Sequence, residues 1–331
     1  MSCIRRGYLE DFLRISDSSL AVNINQMSME DLLLSLEVAN ETDTGIELRN
    51  IALLMFSEHP EKYIPGETIE LVWFHTEDAE GSDEFTEKLF TGPIWKQVQD
   101  VLDYINTNII TEKVVKITGM AAAERFFNYP YNALEEVLVN AVFHKSYRDD
   151  VPVNVRIYAD RIEVINYPGP DRWIDMDKFA EGKIRSRKYR NRRIGEMFKE
   201  IDLSEKQGTG ITKILRTLKA NGSPAPEFET VEERVYLSTV IRMHEGFRGV
   251  GFQSGPQNDP QKVSQSDLQK KQAFIRMEEA IIQVIQEEST ITRAEIAEKL
   301  GISLKTVARR IKGMPNVYYV GSSKSGHWEI D

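Results

Sequence analysis

Between residues 91 and 112 the apolar positions Ile94, Val98, Val101, Leu102 and Ile105 recur every three or four residues, so they line one side of a helix that faces a core. The same period returns over 131–143, where Leu134, Val137, Leu138, Ala141 and Val142 are apolar and Pro130 stands where a helix can begin. Upstream, 51–56 predicts a short helix and 69–74 a strand, joined by a turn-rich connection. The period then falls to two. Residues 153–158 and 161–166 alternate apolar and polar positions around Ala159-Asp160, which predicts a β-hairpin. Residues 210–220 predict a further helix, stopped by Asn221-Gly222-Ser223-Pro224, and 235–241 a closing strand. This order predicts an α+β layer, with helices on one face of a mostly antiparallel sheet.

Residues 244–272 are rich in Gly, Gln, Ser and Asp, hold no sustained apolar period and read as a linker. Beyond it, Met277, Ala280, Ile281, Val284 and Ile285 predict one helix. Thr292 caps a second over 293–300, Gly301-Ile302-Ser303 turns, and 304–312 make a third. Ile296, Ala297, Leu300, Ile302, Val307 and Ile311 supply the core of this helix-turn-helix, and strands 317–320 and 327–330 form a wing around a loop that contains Lys324. Ser303, Lys305, Thr306, Arg309, Arg310 and Lys312 give the turn and third helix a basic face suited to the major groove of double-stranded DNA. From Lys271 on, nine Lys and Arg stand against eight Asp and Glu, so a module that contacts protein is the alternative. The cations gather on the third helix and the acids on the first two, which favours DNA.

At 331 residues the chain predicts two or three domains with sizeable cores. Its single cysteine, Cys3, excludes an intramolecular disulfide and a Cys-built zinc cluster, and points to a reducing compartment. The longest apolar run has six residues, far short of a bilayer span, and the first residues lack a signal-peptide core. A cytoplasmic protein without a membrane partner is therefore expected. The net charge of −10 argues against a generally basic coat, yet within 183–193 seven of eleven residues are basic and none is acidic. That run fits a phosphate-bearing partner or a solvated surface equally well.

Three elements carry chemistry. Glu136 and Asn140 lie four apart on the 131–143 helix and share a face, with His144 one turn on. A carboxylate there can orient water and an amide oxygen can hold a hard cation. Such pairs also arise as plain surface neighbours roughly once or twice in a chain of this length. Glu205-Lys206-Gln207-Gly208-Thr209-Gly210 runs into a helix, where backbone N–H groups, Lys206 and the Thr209 hydroxyl can cradle phosphate. Asn166-Tyr167-Pro168-Gly169-Pro170 leaves a strand in a turn that presents the Asn166 amide, with Gly169 giving room for a ligand. The other histidines, His59, His75, His244 and His327, are scattered without metal-ligand spacing.

Taken in chain order, the three elements resemble the Bergerat-fold nucleotide site of the GHKL group: Glu136-x-x-x-Asn140 its N box, the turn after Asn166 a modified G1 box, and Gly208-Thr209-Gly210 its G2 box. The stretch from Glu136 to Tyr147, the hairpin ending in Asn-x-Pro-Gly, Arg190-Asn191 and Gly-x-Gly-Ile are similar to the RecG-related "helicase C-terminal" family, over roughly residues 30–243. That resemblance implies ATP and Mg²⁺ as cofactors, Glu136 as general base, Asn140 as Mg²⁺ ligand, Asn166 near the base, and Gly208 and Gly210 against the phosphates. It implies no helicase motor. The sequence departs from the GHKL pattern in carrying Asn166 where an Asp accepts the adenine amino proton, and Pro168 and Pro170 where glycines stand.

The fold expected is thus a GHKL-like two-layer α+β sandwich plus a winged helix. Residues 1–90 form a connecting subdomain that begins with the tail of an AlbA/Schlafen-type domain, 91–243 the ATPase-like domain, 244–272 the linker and 273–331 the winged helix-turn-helix. The function expected is a transcriptional regulator that binds DNA and nucleotide, with slow Mg-dependent ATP turnover as the most catalysis it would have, pairing as a homodimer as winged-helix readers commonly do. The alternative is a non-enzymatic regulator in which the ATPase-like domain is a degenerate, dimerising scaffold.

Overall fold

The computed structural model describes residues 2–16, 18–76, 84–116, 123–184, 190–203 and 210–247, together with 281–282, 284–286, 289–300, 307, 311, 317–320 and 326–330. The chain divides into two compact units, Met1–Gly255 and Pro256–Asp331.

The first unit opens with α1 (Arg6–Ile15), α2 (Met29–Ser35), the hairpin β1 (Ala39–Thr42) and β2 (Gly45–Leu48), and α3 (Asn50–Phe56). A capping box starts α2: Ser28 Oγ accepts the Asp31 N–H at 3.0 Å and the Asp31 carboxylate accepts the Ser28 N–H at 3.2 Å. Then follow β3 (Ile69–Phe74), β4 (Phe85–Phe90), α4 (Ile94–Asn108), the hairpin β5 (Glu112–Lys116) and β6 (Ala123–Phe127), and α5 (Tyr131–His144). The unit continues through β7 (Val153–Ile157), β8 (Arg161–Asn166), α6 (Met176–Ala180), α7 (Arg192–Glu200), α8 (Gly210–Asn221), β9 (Glu227–Glu229) and β10 (Leu237–Arg242).

Six of these strands make one mixed sheet in the order β4-β3-β7-β8-β10-β9. Only β3 and β7 run parallel, because the whole stretch from β4 through α5 forms the crossover between them. Alternate residues enter the core from one face: Ile69, Leu71 and Trp73 on β3, Val153, Val155 and Ile157 on β7, and Ile162 and Val164 on β8. Helix α4 buries the five apolar positions expected of it, and the Trp95 indole N–H donates to the Met55 carbonyl at 3.0 Å. The fold is α+β, as the sequence predicted.

The expected boundary at residue 90 falls within the span of this sheet. Strands β3 and β4 precede that boundary, yet β3 pairs residue for residue with β7 beyond it, from Ile69↔Val153 to Trp73↔Ile157. The sequence pattern of 69–74 marks a strand but says nothing of its neighbour, and the neighbour lies about eighty residues downstream.

The second unit holds helical turns at 281–282 and 284–286, α9 (Arg293–Leu300), and the antiparallel pair β11 (Val317–Val320) and β12 (His327–Ile330). Ile281, Val284, Ile285, Ile291, Ile296, Ala297, Val307, Ile311 and Trp328 form its core. Thr292 and Glu295 exchange bonds across the first turn of α9, the cap expected from the sequence.

Candidate functional site

Two polar side chains stand where the sheet would ordinarily bury hydrophobic ones. Asn166 ends the inward-facing series Ile162, Val164 on β8, and it is 4% exposed. Thr239 on β10 pairs with Val164, Leu237 with Asn166, so all four share that face. Between this corner of the sheet, α5, α8 and the 168–179 segment lies a cavity of about 250 Å³. Val137, Ala141, Ile174, Phe179, Ile211 and Ile214 supply apolar walls, while Asn140, Asn166 and Thr239 bring polar atoms to it. Such a space, apolar with a few convergent hydrogen-bonding groups, has the character of a small-molecule site. Gly169 N–H donates to the Arg234 carbonyl at 2.9 Å, and a Cβ at Gly169 would run into the Tyr236 carbonyl. The glycine therefore lets the 168–170 turn close on β10 and form one wall.

Beside the cavity, Asn140 Nδ2 donates to the Glu136 carbonyl at 2.8 Å and to Glu136 Oε1 at 3.0 Å. With both donors engaged, Oδ1 remains as the acceptor of the amide, 3.3 Å from where a Cβ on Gly210 would stand. Glu136 is 6% exposed and does not itself line the cavity. Its Oε2 faces Lys213 Nζ of α8 at 3.3 Å, and Glu135 stands 3.8 Å from the same ammonium. Gly210, at the head of α8, presses on the pair: a Cβ there would lie 2.5 Å from Glu136 Oε1 and 2.7 Å from Asn140 Nδ2. The helix start and the Glu136-Asn140 pair therefore meet in direct contact, with no open space between them.

At the far end of α5, Arg190 donates to the His144 carbonyl, and its second nitrogen lies 3.5 Å from the Gly169 carbonyl and 3.9 Å from Asp171. Asn191 donates to the carbonyls of Phe143 at 2.9 Å and Lys145 at 2.7 Å. These two residues of the basic run thus satisfy the last carbonyls of α5. Arg193 likewise donates to the Leu36 carbonyl at 2.7 Å, so part of the run serves the fold. Burial, then the Arg190 charge, lowers the His144 pKa to about 4, with Asp171 opposing. The folded state therefore favours neutral imidazole: its contribution to stability is complete above about pH 6.5 and is lost as pH falls from there towards 4. The ring borders the cavity and is partly solvated, so we expect a loss of roughly 1–2 kcal/mol. Urea denaturation at pH 7.5 and pH 4.5 should show it, and His144→Gln should flatten the difference.

Of the residues singled out in the sequence, Asn140, His144, Asn166 and Gly169 line one cavity, with Glu136 and Gly210 at its edge. Lys206, Gly208 and Thr209 lie outside the described residues, as do Ser303, Lys305, Thr306, Arg309, Arg310, Lys312 and Lys324. Sequence reasoning passed over Thr239, Lys213 and Asp171. A threonine in a strand reads as ordinary β-propensity, and only the pairing of β10 with β8 brings it beside Asn166. Among the described residues no group of three or more His, Cys, Asp or Glu is placed to hold a metal, and no helix is long and apolar enough to cross a membrane.

Residues 150–238 match the family described as ATP-dependent DNA helicase recG C-terminal, and residues 276–314 match the winged helix-turn-helix DNA-binding family. Asn166, Gly169, Gly210 and Lys213 fall inside the first match, whereas Glu136 and Asn140 precede it. The fold is similar to the crystal structure of the DIP2311 protein from Corynebacterium diphtheriae, with a TM-score of 0.56 and 16% identity over 100% of this chain. This chain spans 62% of the length of that one. No curated protein matches the sequence.

Proposed function

From a chain in which a RecG C-terminal-like ATPase domain is followed by a DNA-binding winged helix-turn-helix, we propose a transcriptional regulator whose first unit binds Mg·ATP in the cavity beside α5. The observation that carries this reading is the convergence of Asn140, Asn166 and Thr239 on one apolar-walled cavity. Asn166 accepts through its amide oxygen, and Thr239 can either donate or accept, which suits the donor-acceptor edge of adenine. At about 250 Å³ the cavity has room for a base and part of a sugar, and phosphates beyond it would meet Asn140 beside the cavity.

The residues fit a single-ligand Mg²⁺ site. Asn140 Oδ1, left as acceptor by the two bonds that Nδ2 makes, is the hard oxygen that would hold the ion. When bound, the ion neutralises charge on the phosphates. Glu136 orients water as general base, and it does so only after the head of α8 moves off it, so slow turnover is the expected pace. The second unit reads DNA through the basic residues that the sequence gathers between 305 and 312, and phosphate contacts from them make binding weaken with salt.

Isothermal titration of the full chain with ATP, with and without Mg²⁺, tests the reading. We expect saturable Mg·ATP binding that Thr239→Val weakens about tenfold, a loss equivalent to one hydrogen bond. A folded chain that gives no heat with Mg·ATP overturns it and leaves the ATPase-like unit as a scaffold.

A further inference from the structure

Helix α8 touches the cavity with one end and the departing chain with the other. Its first residue, Gly210, lies against Glu136 and Asn140, and Ile211 and Ile214 of its first turns line the cavity. Lys213 ties the same end to Glu136 and Glu135. Twelve residues make a rod of about 18 Å at 1.5 Å per residue. At its far end Asn221 exchanges two bonds with the edge of β6: its Oδ1 accepts the Phe127 N–H at 2.9 Å and its Nδ2 donates to the Phe127 carbonyl at 2.8 Å. That reciprocal pair resembles one rung of a sheet ladder, and it couples the helix end to the hairpin in position and direction.

The same hairpin grips the chain that leaves β10. The ring of Phe126 stacks on His244 with centroids 4.1 Å apart, and meets Phe247 edge-on at 5.8 Å. The Lys113 ammonium donates to the Gly246 carbonyl at 2.6 Å and stands 5.6 Å from the Phe247 ring centre. Gly246 N–H donates to His244 Nδ1 at 2.9 Å, and His244 N–H to the Asn128 carbonyl at 3.0 Å. Gly222, just past α8, also abuts His244: a Cβ on it would come within 3.1 Å of Nε2. Residues 244–247 follow β10 and are the last described residues of the first unit.

We infer that α8 is a lever between cavity and tether: displacing its Gly210 end loosens, through Asn221 and Phe127, the aromatic grip of β5 and β6 on residues 244–247. The coupling rests on contacts that are present without ligand; its use by nucleotide rests on the function proposed above. A ligand that moves Gly210 off Glu136 would thereby change how firmly residues 244–247 are held. The contacts form one continuous set of packed and hydrogen-bonded groups, which is what energetic coupling requires.

The test moves the lever without nucleotide. Gly210→Val places carbon where Glu136 Oε1 and Asn140 Nδ2 now stand and must push the helix start away. In the full chain we expect hydrogen exchange of the Gly246 and Phe247 amides to rise about tenfold, with the Val155 and Val164 amides of the central sheet unchanged as the control for global opening. Lys213→Ala, a milder cut at the same end, should give a smaller rise in the same amides. With Asn221→Ala already present, Gly210→Val should add nothing further. Exchange at 246–247 that stays at the parent rate in both single variants overturns the lever, and so does an equal rise at Val155 and Val164. Because no nucleotide is present, absence of Mg·ATP binding would sink the proposed function and leave this result to stand by itself.

Discussion

Glu136→Gln should lower Mg-dependent ATP turnover by about 10²–10⁴-fold, the range a positioned general base contributes, while affinity for duplex DNA stays at the parent value. Glutamine keeps the shape of the side chain and an oxygen that can accept from Asn140 Nδ2, so the amide that would face the metal keeps its orientation. What it loses is the ability to take a proton from water, together with the charge opposite Lys213. Loss of that charge should ease α8 away from α5, so ATP should bind to the variant at least as tightly as to the parent. Phosphate release and isothermal titration, run side by side, separate the two effects. Turnover that survives the substitution removes Glu136 from the chemistry; binding lost together with turnover makes it a structural residue of the cavity instead.

The periodic parts of this chain were open to reading, and what escaped did so for definable reasons. Helices α4 and α8 and the β7-β8 hairpin announce themselves because each buries one face, and a buried face imposes its period on the sequence, whereas α5, buried almost all round, is marked by its apolar density after Pro130. The hairpin β5-β6 gives little such signal: Val114, Val115 and Phe127 are exposed, so alternation has no core to answer to. Strand β4, at the edge of the sheet, likewise exposes Phe85 and Leu89. At the site, Glu136 and Asn140 could be paired because helical spacing fixes their separation, and Asn166 stood out as a polar residue closing an alternating strand. Lys213 could not be assigned to Glu136, since 77 positions separate them and their meeting depends on how α8 crosses α5. The basic run illustrates the opposite error of emphasis. Its charge density suggests a ligand, whereas Arg193 caps α2 through the Leu36 carbonyl and Asn191 caps α5, leaving Arg190 as the described cation of that run at the cavity.

Trp328→Ala should unfold the second unit and abolish DNA binding while the first unit still melts as in the parent. The indole is 5% exposed and joins three parts of a small core. Its Nε1–H donates to the Ile291 carbonyl at 2.8 Å, its ring meets Tyr319 of β11 edge-on at 5.0 Å, and Arg293 at the start of α9 stands 5.5 Å from its centre. Its backbone N–H donates to the Ser289 carbonyl at 2.7 Å, which holds β12 against the turn before α9. Truncating a buried tryptophan costs about 3–5 kcal/mol, and a core of this size supplies on the order of 3–5 kcal/mol in total, so one substitution is enough to cancel it. Two transitions by calorimetry in the parent should become one in the variant, with anisotropy on duplex DNA flat up to high protein concentration. Arg309→Ala/Arg310→Ala provides the contrast: it should keep both transitions and still weaken DNA binding, with a shallower salt dependence, because it removes two positive charges and no apolar side chain. If Trp328→Ala binds DNA as the parent does, the winged helix is not the reader, and the basic stretch within 183–193 becomes the surface to examine for nucleic acid.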